Sequence, residues 1–357
     1  MDAIALLRAG LFVVLLALPL ITMRGHAGTL QEEQRTRAPL PSLWAAGAQF
    51  PEQADAYFRD NFGGRDRIIR WHHRFKYHAF GQSPVDGVIV GRGGWLFYSV
   101  PTDGMDIRNF SGHWPHLAAD VDGWLRGQEG RRRQYARLGA RYLVAIAPDK
   151  QSVYPEFVPF RYGPHAPGVL GELLGRLGTF PDLPVLDLAP ALRREAHSGL
   201  YYTADTHWNA RGAFLAAGAI ADRLRADLPS VGRLRESDYD VSSSPRGTGD
   251  LVNMLGLGLA TADLQFAYRR RAGGAREIRA DALHHVWEQP GSGLPKAVLV
   301  GDSFGEALAP LLADAFSRLH YYRSSIGGPD LSVVVQEAPD VVILISVERY
   351  LPHLGGR

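Results

Sequence analysis

The sequence predicts an α/β protein built on a mainly parallel sheet covered by helices on both faces. Three observations carry that expectation. Uninterrupted apolar runs at 142–147, 297–300 and 341–345 alternate with amphipathic stretches. Strands buried on both faces read this way, whereas half-solvated strands alternate apolar and polar residues. The chain is 46% hydrophobic and 21% charged, enough apolar material for a large core. Finally, Gly301-Asp302-Ser303 directly follows one apolar run, and open α/β sheets gather their working groups beyond the carboxyl ends of the strands.

Taken in chain order, residues 9–23 form an apolar run between Arg8 and Arg24. The run matches a signal-peptide apolar region in length. Counting back through residues 3–7 gives about 20 residues with one charge, enough to span about 30 Å of hydrocarbon. No clean small-x-small cleavage site follows, so segment 1–24 is expected to be an uncleaved signal anchor in preference to a cleaved signal peptide. Either reading places the remainder outside the cytoplasm. Residues 25–84 are expected to be a juxtamembrane linker, closed by Pro39 and Pro41, and a helical lead-in of one or two helices within 42–80.

The main domain is expected over 85–357. It opens with a hairpin in which Gly93-Gly94 joins 87–90 to 95–98. Helices near 120–138, 168–177, 210–228 and 304–317 alternate with strands at 142–147, 185–188, 297–300, 320–322 and 341–345. Residues 230–295, rich in Ser, Pro and Gly, are expected to be a loop-rich insertion.

Composition narrows the function classes. A net charge of +2 argues against nucleic acid as a partner. Cysteine is absent, which excludes disulfides, thiolate metal sites and cysteine nucleophiles. His72-His73 and His284-His285 are adjacent pairs without an acidic residue at a known zinc spacing, so no metal is expected.

The chemistry centres on Asp205, His207 and Ser303. A carboxylate two residues from an imidazole can hold one ring nitrogen and leave the other basic. Ser303, on an expected strand-to-helix turn, fits the nucleophile that such a base activates. Each residue also fits a plainer role: Ser303 and Asp205 as helix N-caps, His207 as a partly buried ring beside Trp208. Asp302 is expected to bond local backbone amides. Lys150, Tyr154, Tyr322 and Arg323 follow strand ends and are candidates for substrate binding, although structural roles suit them as well. Trp208 and Trp95 can stack on a sugar ring, but core packing is the commoner use of tryptophan.

On the order Asp205-Thr206-His207-Trp208 and then Gly301-Asp302-Ser303-Phe304, the chain resembles the SGNH-type O-acetyltransferases of exopolysaccharide biosynthesis, the AlgJ/AlgX-type alginate family. The segments 86–91 and 94–98, Ala147-Pro148-Asp149-Lys150, Tyr154-Pro155-Glu156, Gly249-Asp250-Leu251, Pro339-Asp340-Val341-Val342 and Glu348-Arg349 are similar to that family too. The resemblance therefore covers roughly 85–351.

It implies a three-layer α/β/α sandwich of the SGNH-hydrolase kind, with Ser303 as nucleophile, His207 as general base and Asp205 as its orienting acid. No cofactor is implied. The implied activity is periplasmic transfer of acetyl groups onto a secreted polysaccharide, alginate-like or cellulose-like, at the inner membrane. A membrane-bound O-acyltransferase is the implied partner that supplies the acetyl groups. The common SGNH esterases carry the serine block first and Asp-x-x-His last; here the order is reversed and the spacing shorter. No carbohydrate-binding domain of the AlgX kind is recognised, so the chain is expected to be nearer the membrane-anchored AlgJ kind. A carbohydrate acetylesterase would use the same triad with water as acceptor, and a non-catalytic scaffold in an export complex is the alternative from another class.

Overall fold

The computed structural model describes residues 3–23, 29–30, 35–99, 107–112, 117–163, 168–258, 260–324 and 331–354. They fall into two compact units, one of residues 1–85 with 252–259 and one of 86–251 with 260–357.

The first unit is helical: α1 (Ala3–Ile21), α2 (Phe50–Asn61) and α3 (Arg65–Phe80). Gly81, at φ 59°, closes α3 in the left-handed conformation that favours glycine. Segment 252–259 is tied to α3 by His73 Nδ1 to the Leu255 carbonyl at 2.7 Å and by Arg74 Nε donating to the Leu257 carbonyl at 2.8 Å. Among the described residues no helix is long and apolar enough to cross a membrane, so the expected anchor in segment 1–24 is not supported. The 19 residues of α1 span about 28 Å, just under a hydrocarbon core of about 30 Å, and Arg8 interrupts its apolar run.

The second unit opens with the expected hairpin, β1 (Val88–Val90) against β2 (Leu96–Tyr98). Next come α4 (Leu117–Arg137), β3 (Arg141–Ala147), α5 (Val169–Arg176), β4 (Val185–Asp187) and α6 (Ala210–Asp227). Four strands follow: β5 (Tyr239–Gly247), β6 (Thr261–Arg270), β7 (Arg276–Ala280) and β8 (His284–Glu288). The unit closes with β9 (Lys296–Gly301), α7 (Ser303–Leu312), β10 (Arg318–Arg323), α8 (Leu331–Glu337) and β11 (Val341–Val347).

The central sheet runs β4-β3-β11-β9-β10-β8-β7. Its first five strands are parallel, while β8 pairs antiparallel with both β10 and β7. The sheet is therefore mixed rather than uniformly parallel. The antiparallel edge comes from 230–295, which holds four strands where loops were expected. β7 is exposed throughout, and β5 and β6 form a separate ribbon that is largely exposed. Their polar sequences lack the apolar run that marks a buried strand.

Side-chain alternation creates the layers. Along β3, Tyr142, Val144 and Ile146 enter one core with α4, α5 and α8; Leu143, Ala145 and Ala147 enter the other with α6 and α7. β9 and β11 divide in the same way. This is a three-layer α/β/α arrangement. It fixes Ser303, just beyond β9, at the carboxyl edge of the parallel strands.

Candidate active site

Ser303 is the first residue of α7, and its position is locked from three sides. Asp302 caps the helix, with Oδ1 accepting from the Phe304 amide at 2.9 Å, while Oδ2 accepts from the Val347 amide of β11 at 2.8 Å. Tyr321 on β10 donates its hydroxyl to the Asp302 carbonyl at 2.8 Å. Gly301 is required by close approach: a Cβ there would lie 2.3 Å from Ile345 Cγ2. Asp302 is thus consumed by backbone amides, as its place on the turn predicts. Burial pushes its carboxyl above the usual range, against the pull of those amides.

His207 lies in the turn that precedes α6. Asn209 caps that helix, its side chain accepting from the amides of Arg211 and Gly212. Asp205 Oδ1 accepts from His207 Nδ1 at 2.7 Å and from the His207 amide at 3.0 Å. With Nδ1 donating, Nε2 is the ring's acceptor, and it lies 2.7 Å from Ser303 Oγ. The Asp205 side chain is 3% exposed and that of His207 29%, so the carboxylate is sealed while the imidazole edge reaches solvent.

The sequence pattern missed what holds Asp205. Its second oxygen accepts from Arg246 at 2.6 Å and from the Asp250 amide at 3.1 Å. The Arg246 guanidinium lies 3.9 Å over the Tyr202 ring. Asp250 in turn accepts from the Thr206 amide at 2.8 Å and the Thr206 hydroxyl at 2.5 Å. Gly249 permits this close fit, since a Cβ would meet the Ala204 carbonyl oxygen at 2.3 Å. Burial pushes the Asp205 carboxyl up, but its bonds to His207 and the Asp250 amide outweigh that and hold it well below the carboxylate range. Asp205, His207 and Asp250 are close enough together to share an ion, yet these contacts already engage both carboxylates. The Gly249-Asp250-Leu251 block was a signal for Asp250; Arg246, in the Ser/Pro-rich ribbon, carried none.

The other candidates go to different places. Lys150 is buried, and Nζ donates to the carbonyls of Tyr202, Thr203 and Asp205 at 3.1, 3.0 and 2.8 Å. It staples the loop that carries the triad carboxylate rather than facing a ligand, and burial pushes its pKa down to about 7. Tyr154 is buried between the Ala196 carbonyl and the Leu200 amide. Trp208 is buried against Phe304, ring centres 4.9 Å apart, and Trp95 stacks on Phe157 at 4.5 Å. Tyr322 stacks on His284 at 4.1 Å. Arg323 pairs with Glu306 of α7 at 2.6 Å.

Behind the triad lies a second ionic cluster. Arg349 pairs with Asp149, and Glu348 accepts from the Asp149 amide at 3.0 Å and the Ser152 hydroxyl at 2.6 Å. All three charged residues are buried. Burial, with the Asp149 charge beside it, pushes the Glu348 carboxyl up to about 8.

The arrangement can perform serine acyl transfer. Ser303 Oγ can pass its proton to Nε2, and the Ser303 amide at the amino end of α7 is placed for a developing oxyanion.

Comparison with known proteins agrees. A family model described as the SGNH hydrolase-like domain of the acetyltransferase AlgX matches residues 88–329. A probable alginate O-acetylase AlgJ of Pseudomonas putida is 26% identical over 294 residues, 74% of this chain and 70% of that protein. Its counterpart in Azotobacter vinelandii is 28% identical over 193 residues, 51% of this chain and 44% of that protein. Among solved structures, Bacillus cereus PatB1 superposes with a TM-score of 0.54 at 15% identity, covering 66% of this chain and 91% of that one. The O-acetyltransferase domain of P. putida AlgJ gives 0.50 at 22%, covering 74% and 92%. These two likenesses speak to the fold.

Proposed function

The chain belongs to the family of the SGNH hydrolase-like acetyltransferase domain of AlgX, and on that footing we propose that Ser303, His207 and Asp205 carry its reaction. The protein is a periplasmic O-acetyltransferase of an exopolysaccharide, with 85–357 as the catalytic domain. The observation that carries the assignment of the triad is the pair of 2.7 Å contacts that run from Asp205 through His207 to Ser303. Ser303 Oγ attacks the donor's acetyl carbonyl as His207 Nε2 takes its proton, and the oxyanion forms against the Ser303 amide. Collapse leaves an acetyl-serine and passes the proton to the leaving group. A sugar hydroxyl then loses its proton to Nε2 and attacks the ester, which frees Ser303 and leaves the acetylated polymer. A membrane-bound O-acyltransferase would supply the acetyl group, as the family resemblance suggests.

Ser303→Ala should abolish acetylation of the polymer and leave thermal unfolding unchanged. A strain that carries only this variant and keeps its normal acetyl content would refute the assignment.

Attachment to the inner membrane belongs to the same proposal. Two features support it: the apolar α1, and a stripe on α3 in which Ile68, Trp71 and Phe75 are 57%, 67% and 50% exposed. Arg67 and Lys76 flank that stripe on opposite sides, the pattern of a helix lying at an anionic bilayer surface. Fractionation of expressing cells at low salt should leave the full-length chain with the membrane pellet; recovery in the soluble fraction would reject attachment.

A further inference from the structure

The solvent face of α7 continues beyond the nucleophile. Ser303, Ala307 and Pro310 follow one another at helical spacing on a single stripe, Ala307 and Pro310 are exposed, and Phe304, Leu308 and Leu312 face the core. At 1.5 Å per residue the stripe reaches about 10 Å from Ser303 to Pro310. Ala307 and Pro310 of this stripe line a groove of about 470 Å³, which begins one helical turn beyond Ser303. Phe266, Tyr268 and Arg270 of the ribbon line it as well, together with Ala210, three residues after His207. The larger cavity, about 500 Å³, lies around the amino end of β3 and holds neither an imidazole nor a hydroxyl nucleophile.

We propose that this groove seats the acceptor glycan strand and leads one of its hydroxyls to Ser303; the proposal rests on the acetyl-transfer reading above. The walls have the chemistry for it. Small side chains at Ala210, Ala307 and Pro310 leave room for a chain, while the half-buried rings of Phe266 and Tyr268, which carry Arg211 at 4.0 Å and Phe214 at 4.7 Å respectively, line it with apolar surface. The carboxylate of the groove, Asp314, is already bonded by the Tyr239 hydroxyl at 2.7 Å and the Ala275 amide at 2.7 Å, and lies 3.6 Å from Arg270. Exposed Arg269 adds a cation at the rim, suited to hydroxyl or carboxylate substituents. A ligand held here lies alongside the nucleophile's helix, so its binding is separable from acyl-enzyme formation.

The test uses full-length enzyme with Pro310→Trp, which fills the groove two turns from Ser303, and Arg269→Glu, which reverses the rim charge. Hydrolysis of p-nitrophenyl acetate and covalent labelling of Ser303 by a sulfonyl fluoride report the triad alone. Transfer to oligosaccharides of increasing length reports the groove. Both variants should raise the KM for long acceptors by about tenfold, with small-ester turnover, Ser303 labelling and transfer to monosaccharide unchanged. Unchanged KM for long acceptors overturns the groove and leaves the triad reading standing. Equal losses on ester and oligosaccharide in both variants overturn it as well. A wild-type enzyme that labels at Ser303 and hydrolyses the ester but transfers to no acceptor would overturn both the groove and the transferase reading.

Discussion

Three adjacent strands of the sheet end in ionisable groups, and two of the clusters they help to build make an instructive pair. β9 ends in Asp302-Ser303, which meets Asp205, His207 and Arg246; β3 and β11 end in Asp149 and in Glu348-Arg349. Each cluster sets a buried carboxylate against an arginine and a backbone amide. They differ in access. The first opens to solvent through an imidazole edge and a hydroxyl; the second is buried. The carboxyl shifts run oppositely as well, Asp205 held low by His207 and Glu348 pushed high by burial. Position at a strand's carboxyl end therefore does not by itself make a group reactive. The first cluster adds an exposed imidazole edge that the second lacks.

The hardest blow to this contrast falls on the open cluster. Asp205→Asn should keep the fold but donate a proton where the ring needs an acceptor, and so impose the wrong tautomer on His207. A loss of about 10⁴-fold in kcat is expected, as for the equivalent change in serine proteases, and Tm falls too because Arg246 loses its counter-charge. Steady-state kinetics with a small acetyl ester measure it, and a loss under tenfold would show that Asp205 does not orient the base. The buried cluster should respond in stability. Arg349→Met leaves Asp149 buried without its cation, which costs about 3–5 kcal/mol and lowers Tm by roughly 10 °C. Differential scanning calorimetry decides it; an unchanged Tm would mean that the pair contributes nothing to the fold.

The same contrast explains what the sequence made legible. The parallel core strands could be read because burial on both faces demands unbroken apolar runs, as at 341–345. The proposed triad could be read because its spacing is short on one side and tied to a strand-to-helix turn on the other. β5 to β7 could not, because exposed and edge strands need no apolar signature and 239–247 reads as a serine-rich loop; β8, paired on both sides, carries only Val286-Trp287 as an apolar core. Arg246 was hidden for that reason: its partner Asp205 is 41 residues away, and nothing local marks it. Lys150, Tyr154 and Trp208 were candidates for substrate binding, with structural roles open beside it. Their burial is a tertiary property, set by carbonyls and rings from 200–208 and by Phe304.

The finest separation of the two clusters is by pH. For Asp205 the folded-state pKa is depressed, so its stabilising contribution is present above the unfolded value of 3.8 and fades only as acid is added. For Glu348 the folded-state value is raised from 4.5 to about 8, so the native state holds more protons than the unfolded state between those values. Stability must then fall as pH rises through that window. Glu348→Gln stays neutral and can still accept from the Asp149 amide, so it removes the titration without emptying the site. Relative to wild type, its Tm should be unchanged near pH 4.5 and should gain a few degrees by pH 8. Lys150, pushed down to about 7, tilts stability the other way above that pH, but it is common to both proteins and cancels in the difference. A Tm difference that stays flat from pH 5 to 8 would mean that Glu348 is ionised in the native state and that the buried cluster holds a second full negative charge.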